Sequence, residues 1–345
     1  MESPLSVAEL ARLAPLLGGA GVPEAGSLVP ALITSGKSNV TVRLSNRHGS
    51  WVLRMPPRHG RTPSAHDVGR EFRVTSALAG TDVPVPPPVL LCEDESVIGG
   101  PFAVAHFVDG ACIQTRRDLE SLDDAAHAGV VEALVGVLAE LHRVDHRAVG
   151  LDRFGRPDGY AERQLRRWAG QWELVRPGDP VLDRAAAELG NALVRTPPRQ
   201  RATGIVHGDY RVDNTLLRLD ADHLEVAAVV DWELSTIGDP VADVAMMCGY
   251  RHPALDQILA TDAAWASDRL PDVASLAGSY EKAGGVELVD FDVHLALAYF
   301  KTAVIAAGID HRNRATGDRA DPGVTAGSAV EPLLEAGLAA LRDIG

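Results

Sequence analysis

Apolar residues recur at helical spacing over residues 5–17 (LSVAELARLAPLL), which predicts an N-terminal helix. From residue 28 the pattern shortens to that of strands. Leu28–Thr34, Val40–Ser45 and Ser50–Met55 are rich in β-branched and apolar residues. The polar turns at 35–39 (SGKSN) and 46–49 (NRHG) between them predict consecutive hairpins. Pro56-Pro57 ends the third strand, because proline cannot donate to a ladder. A helix comes next, over roughly 65–78, with Asp67 as its N-cap. Residues 83–88 (VPVPPP) form a stiff extended linker, and further strands fit at Val89–Cys92 and Phe102–Val108.

Beyond Gly110 the pattern turns helical. Val130, Leu134, Val137, Leu138 and Leu141 make an i, i+4, i+7, i+8, i+11 stripe, the mark of a helix facing a core. Residues 160–194 predict two helices broken at Pro177-Gly178. Two short strand-like runs, Gly204–His207 and Val226–Val230, flank a polar loop, and Val241–Ile344 is mostly helical. The apolar stretch Leu295–Ile309 is interrupted by Lys301 and is expected to be too short to span a bilayer. The expected fold is α+β and bilobal. Its N-lobe (1–108) is an antiparallel sheet with one main helix and a hinge near 104–110. Its helical C-lobe (109–345) carries the 207–214 loop and the 231–233 motif.

Composition narrows the function. The chain has 345 residues, 46% of them hydrophobic and 23% charged, enough to build a sizeable core. A net charge of −14 argues against a general nucleic-acid binder, which needs clustered Lys and Arg. Cys92, Cys112 and Cys248 match no zinc, haem or disulfide spacing. The N-terminus has no positive signal-peptide region, so a cytoplasmic protein with no membrane partner is expected, monomeric or homodimeric.

The chemistry concentrates in His207-Gly208-Asp209-Tyr210-Arg211-Val212-Asp213-Asn214 and Val229-Val230-Asp231-Trp232-Glu233. Phosphoryl transfer requires positioning and charge neutralisation more than covalent work. A carboxylate must orient the attacking hydroxyl and accept its proton, which suits Asp209. An oxygen donor and a further carboxylate must hold Mg²⁺ against the phosphates, which suits Asn214 and Asp231. Asp209 and Asn214 share one loop, and Asp231 comes after an apolar run that would end a buried strand beside them. Gly36-Lys37-Ser38 is not a P-loop, since Ala31 stands where that motif needs glycine and a strand comes after it.

These two segments resemble the catalytic loop and metal motif of the aminoglycoside phosphotransferase and choline kinase-like families, relatives of protein kinases. The segment 237–245 (IGDPVADVA) is similar to the stretch after the metal motif in those families, and 52–57 (VLRMPP), 65–72 (AHDVGREF) and 101–110 (PFAVAHFVDG) resemble their N-lobe. The combination is most similar to the branch also found fused to acyl-CoA dehydrogenases. The resemblance implies that Asp209 is the base, that Asn214 and Asp231 bind Mg²⁺, and that Arg54 contacts nucleotide phosphates while paired with Glu71. It implies that Gly36, Lys37, Ser38 and Asn39 cover the phosphates and that the backbone of His106 and Val108 holds the adenine of ATP, or the base of GTP. His207, Asp239 and Asp243 would be structural, His207 through backbone near Asp231 and Asp243 as a buttress of the loop. Two departures stand out: Arg54 replaces a usual lysine, and Ala105-His106 alters the hinge towards a roomier base pocket.

The expected activity is transfer of the γ-phosphate of ATP to a small-molecule hydroxyl, on an aminoglycoside or a hydroxyacyl compound. The alternative is a nucleotide-binding scaffold without phosphotransfer. Trp168, Trp172 and Arg167 on one predicted helix, with Glu233, Tyr299 and Arg312, are the candidate acceptor-binding residues.

Overall fold

The computed structural model describes residues 3–34, 39–57, 67–220, 223–316 and 325–342. The chain forms two compact units, Met1–Gly110 with Ala227–Ser235, and Ala111–Val226 with Thr236–Gly345.

The first unit opens with α1 (Val7–Gly19), started by a capping box between Ser6 and Glu9. After it comes a five-stranded antiparallel sheet of β1 (Val29–Thr34), β2 (Val40–Asn46), β3 (Gly49–Met55), β4 (Pro88–Cys92) and β5 (Phe102–His106), in the order β1-β2-β3-β5-β4. Strand alternation gives the sheet two unlike faces. Val42, Leu44, Trp51, Leu53, Met55, Phe102 and Val104 join Leu13 and Leu17 of α1 in one core. Arg54 lies between two of these inward residues and so points the other way, with Thr41 and Ala103 as its cross-strand neighbours.

The helix expected at 65–78 is α2 (Val68–Leu78). Asp67 caps it, accepting from the Arg70 N–H at 2.9 Å, while Ala65 and His66 lie outside the described residues. Its buried positions Glu71, Val74, Thr75 and Leu78 have i, i+3, i+4, i+7 spacing, and α2 packs on β4 and β5.

The metal motif, expected with the helical part, groups instead with the sheet unit. Backbone and side-chain bonds tie Ala227–Ser235 there: Val229 N–H donates to Pro84 O at 2.8 Å, and Arg70 Nε to Ser235 O at 2.8 Å.

The second unit holds α3 (Arg116–Glu120), α4 (Asp124–Arg143), α5 (Tyr160–Val175) and α6 (Pro180–Arg195), then β6 (Gly204–Val206), β7 (Thr215–Asp220), β8 (His223–Val229) and β9 (Thr236–Gly238). It continues with α7 (Pro240–Gly249), α8 (Leu255–Leu259), α9 (Val273–Lys282), α10 (Phe291–Thr316) and α11 (Val330–Arg342). In place of a single strand–loop–strand insert, β6 pairs with β9 and β7 pairs with β8, whose last residues pass into the first unit.

The apolar stretch around Lys301 belongs to a longer helix than expected. α10 is long and apolar enough to cross a membrane by length and composition, yet 78% of its most apolar window is buried inside the protein. It packs against α5, α6, α7 and α11, so its apolar surface faces protein all round.

Candidate active site

In the first unit the site residues gather around Arg54. One guanidinium nitrogen donates to Glu71 Oε1 at 2.6 Å and another to Asp231 Oδ1 at 2.9 Å. Glu233 is close enough to add its negative charge to both Arg54 and Glu71. Burial pushes the Glu71 carboxyl up to about 7, and the attraction of Arg54 only partly offsets this. The guanidinium itself is held above its usual value: burial lowers it, but Glu71 and Asp231 outweigh that. Among the described residues Glu71 Oε2 and Arg54 Nε are buried without a hydrogen-bond partner, so the triad has unused polar capacity.

Asp231 sits in the left-handed region at φ 64°, ψ 54°, the conformation Asp and Asn tolerate best among residues with a Cβ. The turn after it is anchored by the buried Trp232, whose indole N–H donates to Val229 O at 2.9 Å. Oδ1 of Asp231 is engaged by Arg54, and among the described residues none donates a hydrogen bond to Oδ2.

Of the loop expected to cover phosphates, Gly36, Lys37 and Ser38 lie outside the described residues. Asn39 is described: it is buried, and neither polar atom of its amide has a hydrogen-bond partner among the described residues. At the hinge, His106 N–H already donates to Pro87 O at 2.8 Å, so only its carbonyl is available to a base edge.

In the second unit the catalytic loop turns on Gly208, at φ 86°. The buried carboxylate of Asp243, on the first turn of α7, accepts from His207 N–H at 2.6 Å and from Gly208 N–H at 2.8 Å. Burial pushes that carboxyl up, but His142, His207 and the Gly208 N–H prevail and hold it below its usual value. Asp209 leaves this turn with its N–H donated to His207 Nδ1 at 3.2 Å. Asn214 Nδ2 donates to Asp209 O at 2.8 Å and to Asp209 Oδ2 at 3.0 Å, which turns its Oδ1 away from Asp209. Arg211 lies 3.5 Å from Asp209 Oδ1 and 2.7 Å from Asp213 Oδ1, over the ring of Tyr250. Asp239 caps α7 through Val241 N–H at 3.1 Å and lies 3.4 Å from His294.

Two groups at Asp209 had no sequence signal. Tyr250 lies close to Asp209, and burial, with the charge of that carboxylate, raises its phenol well above its usual range. Lys301, in the middle of α10, places Nζ 3.3 Å from Gly208 O and 5.8 Å from the Trp168 ring centre. Both are single polar residues in apolar surroundings, and only the fold brings them to the loop.

The acceptor candidates separate. Trp168 lines a small void with Gly208 and Lys301, and Arg167 stacks 5.3 Å from the Trp168 ring centre. Trp172, one turn on from Trp168, is buried and lines a different cavity, of about 600 Å³, between α5, α6 and Phe300 of α10. Tyr299 packs edge-on against His252, and Arg312 is exposed near the end of α10.

A model of the APH phosphotransferase enzyme family matches residues 31–278. The chain belongs to this phosphotransferase family. The mouse acyl-CoA dehydrogenase family member 10 is 35% identical over 305 residues, and the human family member 11 is 33% identical over 328. These matches cover 86% and 93% of this chain but only 28% and 41% of those proteins. A provisionally named aminoglycoside phosphotransferase of Ralstonia eutropha has 32% identity and a TM-score of 0.81, over 96% of this chain and 98% of that one. Aminoglycoside phosphotransferase APH(4)-Ia, solved as a ternary complex with AMP-PNP and hygromycin B, shares the fold at 14% identity and a TM-score of 0.59, over 94% of this chain and 97% of that one. The N-terminal antiparallel sheet and mostly helical remainder are the kinase-like fold of the family.

Proposed function

We propose that the chain transfers the γ-phosphate of ATP to a hydroxyl of a small molecule. The observation that carries this is the state of Asp209: a carboxylate at a glycine turn, oriented by Asn214 and Arg211. In the step proposed, the acceptor oxygen attacks the γ-phosphorus, its proton passes to Asp209, and the bond to the β–γ bridging oxygen breaks. Arg54, held by Glu71, meets the nucleotide phosphates.

Asn214 Oδ1 and Asp231 Oδ2 each offer one hard oxygen, the few-ligand set that suits Mg²⁺ completed by phosphates and water. When bound, that ion neutralises phosphate charge. Among the described residues no group of three or more His, Cys, Asp or Glu forms a metal cage.

The acceptor is read from the groups beside Gly208. Arg167 and the Trp168 indole are cationic and aromatic, which favours a hydroxylated anion such as a hydroxyacyl compound over a polycationic aminoglycoside. The acyl-CoA dehydrogenase names of the relatives support the same choice.

Asp209→Asn tests the role of the base. ATP hydrolysis without acceptor and transfer to a panel of hydroxyacyl compounds should both fall at least about 100-fold, with nucleotide affinity kept within about two-fold. Full turnover in Asp209→Asn would refute the assignment. Greater turnover on aminoglycosides than on the hydroxyacyl panel would refute the acceptor class.

A further inference from the structure

Lys301 is out of place in its helix. It shares a face of α10 with His294, Leu297 and Ala298, and that face borders a void of only about 20 Å³, roughly one water. Among the described residues no carboxylate forms an ion pair with its ammonium. Burying an ammonium is unfavourable, and burial does lower the Lys301 pKa, against the opposing charges of Asp209 and Asp243. A leucine or methionine would fill the same space without that penalty, so the cation must hold something.

What it holds is one peptide. The unit joining Gly208 to Asp209 has two polar ends: its oxygen accepts from Lys301 Nζ at 3.3 Å, and its N–H donates to His207 Nδ1 at 3.2 Å. The preceding peptide is fixed through Gly208 N–H on Asp243. Gly208 has no side chain and adopts a positive φ, so no steric barrier at Gly208 prevents this peptide from rotating, and its hydrogen bonds must hold it. Rotation would swing the Asp209 side chain, and misplacing a catalytic group by about 1 Å can lower a rate about 100-fold. We propose that Lys301 is a positioning residue of the catalytic loop, pinning the Gly208 carbonyl from α10 so that Asp209 leaves the turn in one fixed direction. The consequence for turnover rests on Asp209 being the base. The consequence for the loop does not.

The experiment therefore has two readouts on the full chain. Amide hydrogen exchange across residues 206–214 is compared in wild type, Lys301→Met and Lys301→Ala without ligand, with α11 as the internal control and a melting curve to confirm folding. Exchange at Gly208 and Asp209 should accelerate about ten-fold or more in both variants while α11 is unchanged. Propylamine, which fits the space vacated in Lys301→Ala, should restore protection. Lys301→Gln, which keeps an N–H donor, should retain part of it and serves if the other two fail to fold. For turnover, kcat of Mg·ATP hydrolysis should fall about 10- to 100-fold with KM for ATP nearly unchanged, and propylamine should recover it in Lys301→Ala. Wild-type exchange in a folded Lys301→Met protein, or faster exchange with unchanged kcat, would overturn the proposal. A wild-type protein that turns over no nucleotide would instead overturn the phosphotransferase assignment, and exchange would still decide what Lys301 does.

Discussion

At the scale of single residues, the informative group is the Glu71 carboxyl. Its charge is stabilised by Arg54 at 2.6 Å, but that guanidinium is shared with Asp231, and burial prevails. A carboxyl raised from 4.5 to about 7 binds more protons folded than unfolded between those values. Stability of the ligand-free protein should therefore be greatest below about pH 4.5 as far as this group is concerned, fall as pH rises towards 7, and level off above. The shift caps the change at on the order of 3 kcal/mol. Urea unfolding from pH 5 to 8 should show this slope, and Glu71→Gln should flatten it; an unchanged slope in the variant would remove Glu71 as its source. Arg54 and Glu71 could be read as a pair from the motifs around them. The second arm of Arg54, onto Asp231, could not, because it joins positions 177 apart in the chain. Tyr250 was silent for a related reason. It ends an apolar helix and looks like core until the fold brings the charge of Asp209 near it.

Among elements, legibility tracked length and period. The first three strands, α2 with its Asp67 cap, and the break between α5 and α6 were all visible, since each offers many periodic positions or a strong breaker. β7 was missed because its sequence TLLRLD mixes Arg and Asp into the apolar run, and β9 because three residues carry no period. That small strand is nonetheless tightly constrained. A Cβ on Gly238 would lie 2.5 Å from the buried Tyr160 ring, at the start of α5. Because β9 pairs with β6, which leads directly into His207, Gly238→Ala should destabilise the protein by about 1–3 kcal/mol and also raise loop exchange at 207–209. Melting and exchange measured on this variant should move together; a stable Gly238→Ala protein would mean that Tyr160 yields freely.

The whole molecule adds what neither scale supplies. Asp209 and Asn214 lie in one compact unit, Arg54 and Asp231 in the other, and Ala227–Ser235 belongs with the sheet despite its place late in the chain. The sequence motifs named all of these residues but could not divide them, because hydrogen bonds to Pro84 and Ser235 decide where that segment folds. Titration of AMP-PNP into the protein by calorimetry, with and without Mg²⁺, tests the central claim most directly. The account predicts binding that strengthens with Mg²⁺, and a loss of at least about ten-fold in that Mg²⁺-dependent affinity in Asp231→Asn and in Asn214→Ala alike. Absence of nucleotide binding, or Mg²⁺-dependent affinity unchanged in both variants, would contradict it.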